Sequence, residues 1–106
     1  MKLAYASVAD VKILLQVPAD NTDYDIELSG CVESADAIVD SWLMKSGLAM
    51  PPQVPQNLKD ASAYFAAWLF RRRRNYQENT SSFWTEATRF FNAYVDAAEM
   101  PYLGSV

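Results

Sequence analysis

Three carboxylates, Glu33, Asp36 and Asp40, recur at spacings of three and four, which on a helix sets them beside one another on one face. Such a set suits a divalent cation or an acid/base pair. The chain contains no histidine, so the side chain that most often completes a proton-transfer set near neutral pH is missing. The triad therefore reads as a solvated or subunit-facing acidic face, not as a catalytic or metal site. Cys31 is the single cysteine. Its position on an apolar helical stripe suits a small buried hydrophobe, and one thiol forms no intrachain disulfide. The sequence shows no Gly-rich phosphate loop, metal-ligand cluster or nucleophile motif, and no cofactor is expected.

The second chemical feature is the run Arg71, Arg72, Arg73 and Arg74. Cations in the last turns of a helix offset the negative end of its dipole, and one or two would suffice for that. Because successive helical residues are turned by 100°, four in a row fan out around the axis. They read either as a solvated helix end or as contacts with carboxylates of another subunit or with phosphates, and the sequence does not choose among these. The nine basic and thirteen acidic residues give a net charge of −4, which argues against a protein that coats nucleic acid nonspecifically. Five basic residues fall at Arg71 to Arg74 and Arg89, and six acids fall between Asp23 and Asp40. Such a distribution predicts opposite charges on different parts of the surface and a tendency to bind a neighbouring copy.

These groups must be positioned by helices. From Ala61 to Phe70 only Ser62 is polar, so this segment is apolar on nearly every side and belongs inside a bundle. It lies within a predicted central helix over 55–78, with Phe65, Trp68 and Leu69 at its buried centre. Ser7 followed by Asp10 predicts a capped first helix over 7–16, with Val8, Val11, Leu14 and Leu15 inward and Pro18 beyond its end. An exposed loop over 19–22 follows, in which Asn21, Thr22 or Asp23 caps a second helix over 23–46. That helix carries the stripe Leu28, Cys31, Val32, Ala35, Ile38, Val39, Trp42 and Leu43, and Gly47 stops it. Residues 48–54, LAMPPQV, form a stiff linker. A fourth helix over 81–99, capped by Thr80 or Ser81, presents Phe83, Trp84, Ala87, Phe90, Phe91, Tyr94, Val95 and Ala98, and Pro101 ends it before a loose tail over 100–106.

The expectation is a single all-α domain over 1–106, a small four-helix bundle with a long central apolar helix. At 106 residues such a domain buries about two-thirds of its unfolded surface, so an oligomer or partner would add to a modest margin. No apolar run approaches the roughly 20 residues that cross a bilayer, and the polar start MKLAYASVADVK lacks a signal-peptide core, so the chain is expected to be soluble and intracellular, without a membrane role.

In order and pattern the sequence resembles the tailed-phage head-tail connector family, also called head-completion or neck adaptor proteins. The opening SVADVKILLQV with Asp20, Asp23 and Asp25 after it, the helix with ESADAIVDSWL, and VPQNLKDASAYFAAWLFRRR carry the resemblance over most of the chain. In the last of these the proline-led start, Leu58, Lys59, Ala61 and the late arginines recur in that order. The resemblance implies an α-helical, non-enzymatic adaptor that assembles as a ring at the portal, joins head to tail and lines the DNA channel. Its implied partners are further copies of itself, the portal protein and a tail-side neck protein, with transient contact to genomic DNA. It implies a place in the virion neck, and in the host cytoplasm during assembly. In that setting Arg71 to Arg74 are expected at a partner or channel contact, and Glu33, Asp36 and Asp40 at a subunit interface. The alternative is a small helical DNA-binding regulator using Arg71 to Arg74 on phosphates, and behind it an acid/base or metal-dependent enzyme using Glu33, Asp36 and Asp40.

Overall fold

A computed structural model describes residues 5–49, 53–73 and 80–104, with side chains over 82–97 in the last segment. Four helices make up its regular structure: α1 Val8–Leu15, α2 Asp25–Lys45, α3 Gln56–Arg73 and α4 Thr80–Gly104. Among the described residues there is no strand, and no helix is long and apolar enough to cross a membrane. The molecule is the expected all-α bundle.

Each boundary has a local cause. At the start of α1 the Ser7 hydroxyl accepts from the Asp10 backbone N–H while the Ser7 N–H donates to the Asp10 carboxylate, a reciprocal capping box. At its end Gln16 takes the left-handed conformation, φ 60°, and the Gln16 and Val17 N–H groups close onto the carbonyls of Ile13 and Lys12. The end of α2 repeats this with Gly47 at φ 74°. There the Gly47 N–H donates to Met44 and the Leu48 N–H to Leu43, so the predicted glycine stop is present. The start of α2 departs from expectation: Tyr24 occupies the cap position without a side-chain bond, and the Asn21 amide oxygen accepts instead from Asp23. Asn21 is held by other business, since its carbonyl receives the Lys12 ammonium.

α3 packs against each of the other three helices. Tyr24 meets Phe70 and Asp36 meets Ser62, so α2 and α3 run antiparallel. The core follows the predicted stripes: Leu28, Cys31, Ala35, Val39, Leu58, Phe65 and Ala87 have no exposed surface. One inward residue of α1 escaped the pattern. Lys12, with Val8, Val11 and Leu15 on the same side, is buried, and its ammonium lies 2.6 Å from Asp25 and 2.8 Å from the Asn21 carbonyl. The 19–22 loop folds over that charge and satisfies it, as a buried cation requires.

Two expectations need correction. Phe65 is fully buried, but Trp68 and Leu69 are only half-buried, because α3 turns their side toward its solvent-facing flank, where Trp68 lies against Trp84. Trp42 of α2 instead joins the helices: its ring meets Phe65, Trp84 and Phe91 edge-on at centroid distances of 5.0, 5.6 and 5.3 Å. Pro101 does not end α4, which continues to Gly104. Proline's fixed φ lies in the helical range, so a helix can carry it at the cost of one backbone hydrogen bond to the preceding turn. The linker prolines Pro51 and Pro52, residues 74–79, and the side chains of Thr80, Ser81 and Ala98 lie outside the described residues, as does the end of the tail.

Phe65→Ala is expected to lower the unfolding free energy by about 3–5 kcal/mol, and Trp68→Ala by clearly less, because a half-buried ring leaves a smaller cavity. Equilibrium urea unfolding of both variants checks this, and equal losses would place Trp68 in the core after all.

Candidate functional site

The acidic triad does not form one exposed face. Glu33 is exposed, Asp40 half-buried and Asp36 only 5% exposed. Asp36 follows buried Ala35 and lies about one helical turn before buried Val39 on the inward side of α2, and the Ser62 hydroxyl donates to its Oδ1 at 2.8 Å. The Tyr5 backbone N–H donates to the same oxygen at 3.3 Å, and the Tyr5 phenol donates to Asp40 Oδ1 at 2.6 Å. The expectation that all three carboxylates face another subunit is therefore corrected: an ionised group leaves water only where donors replace it, and Asp36 has them inside the fold. The lone polar residue of the apolar run, Ser62, is its partner. Glu33 keeps its place on the surface.

At Ser62 this network is shielded from solvent. Ser62 has no exposed surface, so its hydroxyl, although bonded to a carboxylate, offers no face to a substrate. Burial first, and then the Asp40 carboxylate that accepts from it, raise the Tyr5 phenol well above the ordinary tyrosine range. Among the described residues no group of three acidic or thiol side chains is placed to hold a metal ion.

The arginine end of α3 is built differently. Arg72 and Arg73 are exposed and Arg71 half-buried, while Arg74 lies outside the described residues. The three described side chains diverge, as consecutive helical positions must. Arg71 lies over the Phe83 ring of α4 at 5.2 Å, Arg72 over Trp68 one turn back at 5.1 Å, and Arg73 reaches Cys31 of α2 at 3.5 Å. Exposed cation–π contacts of this kind contribute about 0.5–1 kcal/mol each.

Antiparallel packing of α2 and α3 has an electrostatic consequence. The first turn of α2, with Asp25 and Glu27, lies at the same end of the molecule as Arg73. Both charges act on one thiol: burial pushes the Cys31 thiol up, Arg73 pulls it down, and Glu27 pushes it up. The expected separation of acidic and basic surfaces is thus corrected, since the order of charges along the sequence is folded back on itself. Sequence reasoning also missed Lys12 and Tyr5. For Lys12 the signal was its place in the 8, 11, 12, 15 spacing, and for Tyr5 there was none.

Ser62→Ala is expected to cost about 1.5–3 kcal/mol, the range for a hydrogen bond to a charged group, and Glu33→Ala less than about 0.5 kcal/mol. Chemical denaturation of the two variants tests the assignment, and a neutral Ser62→Ala would sink it.

Tyr5 gives a pH prediction. A phenol whose folded pKa is raised contributes stability that is present below the unfolded value of about 10 and is lost as pH climbs beyond it. The stability advantage of wild type over Tyr5→Phe should therefore shrink above about pH 10, and an advantage that grows with pH would contradict the Tyr5–Asp40 contact. No protein-family model, curated protein or solved structure matches this chain.

Proposed function

We propose that this chain is a structural adaptor of a tailed phage or prophage, forming a ring at the portal that connects head to tail and lines the DNA channel. The observation that carries the reading is the end of α3, where a core helix ends in exposed Arg72 and Arg73 that point in different directions. The fold does not need that much positive charge at one helix end, and guanidinium groups suit carboxylates of a partner and phosphates of a passing genome alike. The order of helices and motifs described above adds to it. With Asp36 committed to the fold, Glu33 and part of Asp40 are what remain of the acidic triad for a subunit contact.

A DNA-binding regulator would have to lay a helix in a groove, and α3 is covered by α1, α2 and α4. Among the described residues at the end of α3, exposed Arg72 and Arg73 remain for phosphate contacts, which the channel-lining role also includes.

The test is binding to portal rings encoded in the same genome, read by negative-stain microscopy and by affinity, for wild type and an Arg72→Gln/Arg73→Gln variant. Wild type should add a ring to the portal, and the variant should bind about tenfold or more weakly while melting within a few degrees of wild type. No added ring on the portal contradicts the adaptor reading. Equal binding by the variant leaves the arginines as a solvated helix end, and tight, salt-dependent binding to short duplexes without portal binding favours the regulator.

A further inference from the structure

A groove of about 340 Å³ opens between α1 and α3. Leu14, Ala63, Tyr64 and Phe90 give it an apolar lining, and Asp10, Lys59 and Asp60 stand at its polar side. Lys59 lies 3.9 Å from Asp10, whereas Asp60 accepts only from the neutral Gln56 amide among the described residues. The groove thus has one carboxylate more than it has cations, over an aromatic and aliphatic floor.

Three large apolar side chains are exposed among the described residues: Ile13 at 75%, Ile26 at 92% and Met44 at 78%. Ile13 belongs to the groove itself. The other two differ in their neighbours. Ile26 stands between Glu27 and Asp25, which is already paired with Lys12, so it brings no cation to a site that lacks one. Met44 is followed by exposed Lys45, which would bring the missing ammonium. Methionine is also unbranched and adaptable, and its thioether makes favourable contacts with aromatic rings such as Tyr64 and Phe90.

We propose that this groove receives Met44 of a second copy of the chain, with Lys45 of that copy paired to Asp60. The inference rests on the ring reading above and deepens it by naming the subunit contact. The two surfaces are unlike, one at the end of α2 and one between α1 and α3, so each copy offers both. Repetition of such a head-to-tail contact closes into a ring when the rotation allows. The contact is small and is expected to be weak in solution until a portal holds the copies in register.

Sedimentation equilibrium of the full chain at high concentration tests it, with circular dichroism to show that each variant keeps its helices. Lys45→Glu and Asp60→Lys should each weaken self-association about tenfold, and the two together should restore it. Met44→Ser should weaken it as well, and Ile26→Ser should not. Failure of the charge swap to restore association overturns the proposal, as does an Ile26→Ser effect as large as that of Met44→Ser. If wild type associates and none of these changes matters, the subunit contact lies elsewhere and the ring reading stands. If wild type stays monomeric at every concentration, the docking falls, and portal binding judges the ring reading separately.

Discussion

A carboxylate removed from water must find donors, and Asp36 finds them in two parts of the chain that are distant in sequence. The Ser62 hydroxyl comes from the middle of α3 and the Tyr5 N–H from the segment before α1. The Tyr5 phenol extends the network one turn along α2 to Asp40. One buried carboxyl group therefore ties α2 to α3 and holds the segment before α1 on the same surface. Apolar packing alone specifies helix register loosely, because neighbouring turns of Ala, Leu and Val are nearly interchangeable. A polar group with few possible partners is less forgiving.

The rest of the architecture follows from that alignment. With α2 and α3 antiparallel, Trp42 comes over Phe65 and close to Trp84 and Phe91, so α4 is held by aromatic edges. The same alignment carries Asp25 and Glu27 toward the arginine end. Charges that a linear reading keeps apart are neighbours in the fold, and part of the arginine charge is offset within the chain. What remains exposed is narrower and more specific: the outermost guanidinium groups, Glu33, and the groove with its surplus carboxylate.

Much of the fold was legible because its signals are periodic. The α2 stripe, the capping box at Ser7 and Asp10 and the Gly47 stop each state a local rule that tertiary structure did not override. Ser62 stood out as the only polar residue of its run, yet its meaning depended on which helix would face it. Asp36 was misplaced for the complementary reason: spacing groups it with Glu33 and Asp40, but the inward side of α2 is wide enough to include it, and only a donor on another element decides whether a carboxylate there is tolerated. Trp68 was assigned to the centre by its apolar neighbours, although a helix covered on three sides still has a flank. For the candidate contact surfaces, the arginine end was evident in the sequence. The groove was not, since it is assembled from residues of three helices.

The central claim is that Asp36 belongs to the interior of the fold and is not available to a partner. The most direct measurement is amide hydrogen exchange at Tyr5, whose N–H has the Asp36 carboxylate as its acceptor and no helical partner. The account predicts exchange slowed nearly to the rate set by global unfolding, as for core amides of α3. Exchange at the rate of an unprotected chain terminus would show that the segment is not bound there and that the Asp36 carboxylate is open to solvent.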